Sequence, residues 1–512
     1  TAALETATIE TAFHAQTDGS LEITQTLQVK DGGISGVDFV VKVPMQYSLI
    51  LPAWDGICLN EAHPEIYDKR TYLSYPREWQ AQMLLIQGAN GGILIQARDD
   101  GTQFKGLEIR NDGEYFYLGL RTVPQAPFTD YREFSTVTWA VIPYAGGWQN
   151  GASLYKAYMD EAFHLAELNQ RQPAWAKEIQ LVWMDDLDSK EKLQLLAKEV
   201  DPKKTLIQIP GWRLAAYDTE YPDYTPKEGI VELIKFAKSL GFRVSLHCNM
   251  LGCAFDSKEW EDGIKDVACL DAYTHELIVE GYTAFGKDYR FGQINQASVA
   301  WQDLMVAHMV QVVEETGADC IHLDQSLICF NDGRGYVDGM TTMQGNVELQ
   351  RKIAEALPGV AFSGEGTNEY NMRYADFLQQ HVYGLDSNAE TWSNAYFEQI
   401  VPLTTYLFYD YARAYHYPAL PTADEKNRDY YLAWFRAGDV MSGHIPCLYR
   451  ESVVSLTEPS EVFTKILDEA RFYMNKQPVI NPGDWGDGAV ISYLLNDGTV
   501  AEWRVSDEDL AF

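Results

Sequence analysis

The stretch from Ile179 to His247 decides the fold, since short apolar runs of strand length alternate in it with segments of helical spacing. The apolar runs are Ile179-Gln180-Leu181-Val182-Trp183-Met184, Thr205-Leu206-Ile207-Gln208-Ile209 and Gly241-Phe242-Arg243-Val244-Ser245-Leu246-His247. The helical segments between them cover residues 189–199 and 227–240. Strands that alternate with helices are typical of a parallel sheet, in which each helix connects one strand to the next.

The same alternation continues along the chain beyond this stretch. Residues 298–316 have the spacing of a long amphipathic helix, Asp319–Asp324 form a strand-like run, and residues 341–357 are again helical in pattern. A fifth strand is predicted over Gly359–Glu365, and further alternation extends to about residue 478. This length of alternating pattern, about 300 residues, fits a (β/α)8 barrel, also called a TIM barrel.

The first 150 residues or so have a different pattern. Apolar and polar side chains alternate with period two in short runs such as Leu21–Leu27 and Gly92–Ala97, and turn sequences such as Asn111-Asp112-Gly113 separate the runs. Many short strands with regular turns favour a β-sandwich. The pattern becomes helical just after Gly146-Gly147-Trp148.

We therefore predict an α/β chain in three parts. Residues 1–165 form an N-terminal β-sandwich with a linker helix, residues 166–478 form the (β/α)8 barrel, and residues 479–512 form a β-hairpin or small β-domain. The hairpin prediction depends on two alternating runs on either side of Asn496-Asp497-Gly498, a sequence that favours a tight turn.

Composition excludes several classes of function. The 512 residues include 40 Lys and Arg against 74 Asp and Glu, so the formal net charge is −34. Such a surface repels phosphate backbones and anionic lipid, and we expect neither nucleic acid nor a membrane as a partner. No run of 18 apolar residues is long enough for a membrane-spanning helix. Aromatic residues make up 13%, which allows many rings for stacking on sugars or for an aromatic-rich core.

The seven cysteines do not suggest a disulfide framework, because the number is odd and the chain is large. We expect them to be reduced thiols within the core. The chain starts at Thr1-Ala2-Ala3-Leu4, which is typical of a trimmed N-terminus, and we favour a secreted or periplasmic location over a cytoplasmic one. The sequence does not determine the oligomeric state.

Polar and aromatic side chains follow most of the predicted barrel strands. The active site of a (β/α)8 barrel lies at the carboxyl ends of its strands, so these side chains are the candidates for function. The candidate residues are Trp183, Asp186, Trp212, Arg213, His247, Asn249, Asp324, Gln325, Glu365 and His444, with His381, Asp386 and Ser442 in later segments. Each has a purely structural alternative, since an Asp after a strand often caps the next helix and a His is often a buried structural group.

Asp324 and Glu365 are the predicted catalytic pair. Each ends an apolar run, and they lie one βα unit apart. Neighbouring strands are about 4.8 Å apart, so the two carboxyl groups can approach each other closely. Retaining glycosidases need two carboxyl groups about 5–5.5 Å apart and inverting ones about 6.5–9.5 Å, a difference that the sequence does not resolve. We assign Asp324 as the nucleophile and Glu365 as the general acid/base.

The remaining candidates are assigned to substrate binding. Trp183, Trp212 and Tyr217 offer faces on which a sugar ring could stack. Asp186, Arg213, His247, Asn249 and His444 offer polar groups for sugar hydroxyls. Gln325 is placed to donate a hydrogen bond that keeps Asp324 ionised. We expect a carbohydrate as substrate and no cofactor.

Three other functions remain open at this stage. A polysaccharide lyase would need a cationic site for uronates, which the net charge disfavours. A non-catalytic glycan-binding barrel would keep the aromatic residues and tolerate the loss of Asp324 or Glu365. A metal-dependent hydrolase could use His247, Asp324 and His444 as ligands, but no HxH or HExxH spacing supports it, so no metal is predicted.

Four motifs resemble those of the retaining α-glycoside hydrolases related to endo-α-N-acetylgalactosaminidase and, more distantly, those of the α-galactosidase clan. The motifs are Gly146-Gly147-Trp148-Gln149-Asn150-Gly151-Ala152 followed by Tyr155, then Pro210-Gly211-Trp212 with Tyr221-Pro222, then His247-Cys248-Asn249, and finally Ile321-His322-Leu323-Asp324-Gln325 with Gly364-Glu365. They correspond in that family to the linker helix, the second strand and its loop, the end of the third strand, and the nucleophile with the acid/base.

The resemblance implies a galactose-mutarotase-like sandwich before the barrel, an α-linked substrate and net retention of configuration. It runs from the sandwich through the fifth strand of the barrel. The chain is far shorter than the large multi-domain members and lacks their recognisable extra binding modules. The resemblance therefore does not specify which sugar is cleaved.

Overall fold

The structure is a computed structural model. It describes residues 2–3, 6–53, 55–61, 70–165, 171–284, 287–380, 401–416, 443–449, 456–458, 464, 467, 477–479, 490–494 and 499–504. The candidates His381, Asp386 and Ser442 lie outside the described residues.

Two antiparallel sheets form the N-terminal part. The first contains β1 (Ala2–Ala3), β2 (Ala7–Ala15), β3 (Leu21–Val29), β5 (Ser48–Leu51), β6 (Ile57–Leu59), β8 (Met83–Gly88), β9 (Gly91–Arg98), β12 (Glu133–Ser135) and β13 (Thr138–Ala145). Its order is β1-β2-β3-β13-β9-β8-β5-β6, with β12 also paired to β3. The second contains β4 (Val37–Pro44), β7 (Arg70–Ser74), β10 (Lys105–Asn111) and β11 (Tyr115–Thr122) in the order β4-β11-β10-β7.

The two sheets share one hydrophobic core. Leu84 and Ile95 of the first sheet and Leu107 and Leu118 of the second belong to the same cluster of buried side chains. In a strand, alternate side chains point to opposite faces, so the period-two pattern of the sequence places one apolar face of each sheet in this core. The arrangement is consistent with the predicted sandwich.

Helix α1 (Trp148–Ala162) connects the antiparallel part to the barrel. Its buried residues Trp148, Ala152, Tyr155 and Met159 recur at three- or four-residue intervals, which is the spacing of one helix face. They pack in a cluster that also contains side chains of β8 and of the barrel. The helix therefore lies between the two parts of the molecule and contacts both.

Eight parallel strands form a nearly closed barrel, as the alternating pattern predicts. They are β14 (Leu181–Met184), β15 (Thr205–Ile209), β16 (Arg243–Asn249), β20 (Cys320–Asp324), β21 (Ala361–Glu365), β22 (Phe377–Gln380), β23 (Arg413–His416) and β24 (Cys447–Tyr449). Their order is β23-β22-β21-β20-β16-β15-β14-β24. A parallel bridge between Tyr415 and Ile445 brings the two ends of this order together.

The helices of the barrel follow its strands. They are α2 (Lys190–Glu199), α3 (Ile230–Leu240), α4 (Lys258–Glu261), α5 (Val299–Thr316), α6 (Thr342–Ala356), α7 (Glu369–Met372) and α8 (Leu403–Phe408). Short 3₁₀ turns occur at Phe128–Asp130, Ala174–Glu178, Pro202–Lys204 and Ile264–Val267. The longest helix, α5, begins at the side-chain cap of Ser298 and ends at Gly317, whose φ of 70° is left-handed.

Residues 250–292, in which the sequence shows no readable pattern, contain a small antiparallel sheet. Its strands are β17 (Gly252–Ala254), β18 (Val279–Ala284) and β19 (Lys287–Gln293), in the order β17-β19-β18. This sheet is inserted between β16 and α5, after the third barrel strand. It therefore belongs to the loops at the carboxyl end of the barrel, where barrel enzymes build their sites.

The C-terminal residues include a second three-stranded sheet of β25 (Gln477–Val479), β26 (Val490–Leu494) and β27 (Val500–Arg504). The last two strands pair antiparallel, and the predicted turn at Asn496-Asp497-Gly498 lies outside the described residues. All seven cysteines are free thiols. Within the described part of the chain, no helix combines the length and the apolar character needed to cross a lipid bilayer.

Candidate active site

Asp324 and Glu365 end two adjacent parallel strands, β20 and β21. Leu323 is opposite Gly364 in the register of these strands. Asp324 and Glu365 are the next residue of each strand, so they lie at the same level of the sheet. On the other side of β20, Asn249 is opposite Asp324 and His247 is opposite His322. Because side chains of residues at one level of a parallel sheet point to the same face, these groups converge at the mouth of the barrel.

Asn249 and His247 surround the Asp324 carboxylate. The Asn249 Nδ2 donates a hydrogen bond of 3.0 Å to Asp324 Oδ2, and the His247 Nε2 lies 3.7 Å from Asp324 Oδ1. The Asn249 Oδ1 accepts hydrogen bonds from the backbone N–H groups of Leu251 and Gly252, at 2.8 and 2.7 Å. The amide of Asn249 is thus held by the loop that follows it, and its N–H points at the carboxylate.

A backbone N–H positions the Glu365 carboxyl. The N–H of Gln325 donates to Glu365 Oε2 at 2.7 Å, and Gln325 has a left-handed φ of 60°. The backbone N–H of Glu365 donates to the Ser326 hydroxyl at 2.9 Å. The residues that follow the first carboxylate in the chain therefore fix the position of the second.

The environment of Glu365 favours its protonated form. Burial, and next the negative charge of Asp324, raise the pKa of Glu365 to about 8. The hydrogen bond from the Gln325 N–H and the positive charge of Arg77 act in the opposite direction. Near neutral pH this carboxyl carries a proton, which is the state that a general acid needs.

Two further carboxyl groups lie beside the pair, and neither was predicted as a site residue. Burial and the charge of Asp324 raise the pKa of Asp218 to about 6, and burial raises the pKa of Glu280. Asp218 has a left-handed φ of 56° in the loop after β15, and Glu280 lies on β18 of the inserted sheet. A left-handed Asp in a loop after a barrel strand leaves no pattern in the sequence, and Glu280 occurs where no strand was predicted.

The position of Gln325 corrects one expectation. Its side-chain Nε2 donates to Glu280 Oε2 at 2.6 Å, and its backbone N–H donates to Glu365. The amide that donates to Asp324 is that of Asn249. Adjacent residues in a chain point in different directions, so the side chain next to Asp324 in sequence is not the one beside it in space.

The two tryptophans do not present stacking faces. Trp183 is 1% exposed and Trp212 is fully buried, and both belong to the core of the barrel. The Trp212 indole N–H donates to the carbonyl oxygen of His247, and its ring stacks on Tyr224. The third ring, Tyr217, is 40% exposed and lies 5.1 Å from the His247 ring, centre to centre. Tyr217 is therefore the one of the three that borders the mouth.

Asp186 and Arg213 both bind backbone groups of the loop after β15. The Asp186 Oδ1 accepts the N–H of Gly211 at 2.6 Å, which ties the ends of β14 and β15 together. The Arg213 guanidinium donates to the carbonyl oxygens of Thr219 and Asp223 at 2.9 and 2.8 Å. Arg213 is 4% exposed, so it holds the loop that carries Asp218 in place.

His444 lies in a different environment from the carboxylate pair. Its Nε2 is 3.1 Å from Asp55 Oδ1, and both residues are buried. Asp55 is in the turn between β5 and β6 of the first antiparallel sheet, and its backbone carbonyl accepts the Thr404 hydroxyl. His444 therefore connects the barrel to the antiparallel part, and the expected role in binding sugar hydroxyls has no support.

One group of side chains in the described residues could hold a metal ion. His247, His322 and Asp324 each offer a ligand atom, and these atoms lie within 4.8 Å of one another. The ligand set considered from the sequence contained His444 in place of His322. His322 was not among the candidate ligands because it lies inside β20 and not at its end. Its Nδ1 is 3.0 Å from the Ser363 hydroxyl.

Comparison with known proteins gives a family and a fold. Residues 134–418 match the family model described as "Domain of unknown function (DUF6259)", which covers more than half of the chain. The chain belongs to this family. No curated protein matches the sequence.

The fold is that of solved α-glycosidases. The ligand-free α-N-acetylgalactosaminidase NagBb from Bifidobacterium bifidum superposes with a TM-score of 0.70 at 14% identity, over 98% of this chain and 90% of that chain. Its GalNAc complex gives a TM-score of 0.71 at 12% identity, over 97% and 90%. The GH36 α-galactosidase AgaA from Geobacillus stearothermophilus gives 0.55 at 12% identity, over 98% and 74%. At these identities the similarity defines the fold.

Proposed function

We propose that this protein is a retaining α-glycoside hydrolase in which Asp324 is the nucleophile and Glu365 is the general acid/base. The observation that carries the proposal is the pairing of two carboxyl groups at the ends of adjacent strands, one of which has a pKa raised by burial and then by the charge of the other. The spacing of neighbouring strands, about 4.8 Å, is closer to the carboxyl separation of retaining enzymes than to that of inverting ones. The α-glycosidase fold of the chain agrees with this assignment.

In the first step the Asp324 carboxylate attacks the anomeric carbon of the substrate. The bond from that carbon to the leaving oxygen breaks, and Glu365 gives its proton to the oxygen. The products are a glycosyl ester on Asp324, a free alcohol and a Glu365 carboxylate. The hydrogen bond from the Asn249 Nδ2 to Oδ2 orients the attacking carboxylate.

In the second step Glu365 takes a proton from water as the water oxygen attacks the anomeric carbon. The ester bond breaks, and Asp324 becomes a carboxylate again. Formation of the ester removes the negative charge that raises the pKa of Glu365, so its pKa falls between the two steps. The same carboxyl group is thus an acid in the first step and a base in the second.

The test is hydrolysis of 4-nitrophenyl glycosides of N-acetylgalactosamine, galactose and glucose in both anomeric forms. We expect an α-glycoside to be cleaved, and NMR of the first-formed product to show the α-anomer. Asp324→Asn and Glu365→Gln should each lower kcat by roughly a thousandfold or more, while both variants keep the wild-type fold. Glu355→Gln, a change on the surface of α6, is the matched control.

Two results would overturn the assignment. Near-normal turnover by Asp324→Asn removes the nucleophile role. A β-anomer as first product from an α-glycoside means inversion, and Asp324 then acts as a general base on water.

A second candidate function is metal-assisted hydrolysis, which the group of His247, His322 and Asp324 favours. In that case Asp324 would be a ligand and not a nucleophile. Activity that survives exhaustive dialysis against EDTA, together with no rise in melting temperature on addition of Zn²⁺ or Mn²⁺, decides against this function.

A further inference from the structure

A second cleft lies between the four-stranded antiparallel sheet and the barrel. Its volume is about 780 Å³, within the range of ligand sites. One wall is formed by Tyr72 and Arg121 of the sheet, and the opposite wall by residues 327–331, which follow β20. Tyr273, from the loop after β17, closes one end. Three separate segments of the chain thus contribute to one concave surface.

This cleft adjoins the candidate active site on the side of Glu365. Leu327, which lines the cleft, is three residues after Asp324 and packs so tightly against Gly366 that a Cβ there would lie 2.3 Å from Leu327 Cδ2. Arg77 also lines the cleft, and its charge lowers the pKa of both Glu365 and Glu280. With Glu365 as the proposed general acid, the leaving oxygen is protonated on this side of the site, so the cleft lies on the side of the leaving group.

Exposed aromatic rings give the cleft its chemical character. Tyr72 is 48% exposed and Tyr273 is 68% exposed, and the Tyr273 ring lies 4.9 Å from that of Phe128, centre to centre. Large rings with a polar edge suit a ligand that has an apolar face and a hydroxylated rim, and sugar rings have both. Single exposed aromatic residues are common on protein surfaces. These rings differ from them because they lie together in one concave surface.

The polar groups of the cleft suit hydroxyl groups more than a strong anion. The Lys105 ammonium pairs with Asp99 at 2.6 Å, Arg121 lies 3.4 Å from Asp38, and Arg77 lies 3.5 Å from Glu78. Glu108 adds a carboxylate to the lining. Hydrogen-bond donors and an acceptor are therefore present with little net positive charge.

We propose that this cleft binds the sugars on the leaving-group side of the cleaved bond, so that the substrate is an oligosaccharide or a longer glycan and not a simple glycoside. The inference depends on the proposed hydrolase function. It assigns to the antiparallel part of the chain a direct role in substrate choice, through Tyr72, and to the insert after the third barrel strand a second role, through Tyr273.

The test compares a substrate whose leaving group is one nitrophenyl ring with substrates whose leaving groups are sugars. The double variant Tyr72→Ala/Tyr273→Ala is assayed on the 4-nitrophenyl α-glycoside that the wild type cleaves best, and on α-galactosyl and α-N-acetylgalactosaminyl oligosaccharides with leaving groups of one, two and three sugars. We expect the kcat/KM for the nitrophenyl substrate to stay within about threefold of wild type. For the longest leaving group we expect a loss of about tenfold or more, mainly through KM.

The matched control is Tyr47→Ala/Tyr336→Ala. It removes two tyrosines that are 38% and 61% exposed and that do not line the cleft. This control should lower neither kcat/KM value. Circular dichroism and the melting temperature check that both double variants are folded.

The outcomes separate the two proposals. Two results on a wild type that cleaves glycosides would show that the cleft does not bind leaving-group sugars. One is a loss of kcat/KM by the same factor on all substrates in the cleft variant. The other is that no extended substrate is cleaved better than the nitrophenyl one. If the wild type cleaves no glycoside at all, the hydrolase proposal fails. Saturation-transfer NMR with the same oligosaccharides then decides on the cleft: a signal lost in the cleft variant supports it, and no signal overturns it.

Discussion

At the scale of single residues, a side-chain amide on the neighbouring strand holds the Asp324 carboxylate in position. Asn249 is opposite it in the register of β16 and β20 and donates to one carboxylate oxygen. The loop after β16 holds that amide through two backbone N–H groups, so the donor is oriented before any substrate arrives. A donor fixed in this way costs little reorganisation when charge changes on the carboxylate.

Asn249→Ala should therefore lower kcat by about 10- to 100-fold. Gln325→Ala should cost less, because the side chain of Gln325 donates to Glu280 and not to Asp324. Steady-state kinetics on the best 4-nitrophenyl glycoside compares the two. A larger loss in the Gln325 variant would mean that the residue next in sequence to Asp324 does orient it.

The pH dependence of activity should reflect Glu365. Its pKa of about 8 predicts that kcat/KM falls as the pH rises through about 8, since the proposed general acid then loses its proton. Arg77 lowers this pKa, so Arg77→Gln should move the alkaline limb upward by roughly half a pH unit. Arg77→Lys keeps the charge and should leave the limb in place. A limb that does not move in Arg77→Gln would show that another group controls it.

At the scale of elements, the turn after β21 sets the position of Glu365, the proposed general acid. Gly366 follows Glu365 with a left-handed φ of 77°, and a Cβ at this position would collide with Leu327. The loops after β20 and β21 are therefore packed against each other through a glycine. Their close packing explains how the Gln325 N–H reaches the Glu365 carboxyl.

Gly366→Ala should destabilise the protein by roughly 1–3 kcal/mol, because it adds both backbone strain and a steric clash. Gly359→Ala is the matched control, since Gly359 has a φ of 85° but nothing within 4 Å of the added Cβ. The control should show the strain alone. Urea denaturation of both variants gives the difference, and equal losses would mean that the loop around Leu327 yields to the new methyl group.

At the scale of the whole molecule, one buried carboxyl group joins three parts of the fold. Glu369, on α7 of the barrel, accepts the Gln82 N–H near the first antiparallel sheet at 2.9 Å and the Tyr155 hydroxyl of α1. Burial raises the pKa of Glu369 to about 7, against an ordinary value of 4.5. The junction between the barrel and the antiparallel part is therefore sensitive to pH.

The sign of this sensitivity follows from proton linkage. The folded protein keeps the Glu369 proton up to a pH of about 7, whereas the unfolded chain releases it near 4.5. The stability contributed by this group is complete below pH 4.5 and is lost as the pH rises through about 7, a change of roughly 3 kcal/mol.

Glu369→Gln should flatten the dependence of the urea midpoint on pH between 5 and 8, while it lowers the midpoint itself at pH 5. Glu355→Gln, whose wild-type side chain is 62% exposed, should leave the wild-type slope unchanged. A slope that Glu369→Gln does not alter would show that this carboxyl does not titrate in the range.

The parallel barrel follows from local periodicity. Apolar runs of strand length that alternate with helical spacing admit few other arrangements, and the eight-stranded sheet agrees with that pattern. Local sequence also predicted that Asp324 and Glu365 lie at the ends of adjacent strands, because residues that follow consecutive strands of a parallel sheet meet at one edge. Their catalytic roles remain proposals.

The sequence by itself thus determined five of the eight barrel strands, their order along the chain and the polar side chains at their ends. Only the tertiary structure decided that Asn249 and not Gln325 holds Asp324, that Trp212 lies in the core, and that Glu280 and Tyr273 come to the site from an insert without a readable pattern. The physical reason is the distance along the chain over which each kind of information acts. Periodicity reports which face of its own element a side chain occupies, whereas contacts between distant segments depend on loop paths and on packing, and neither leaves a local pattern.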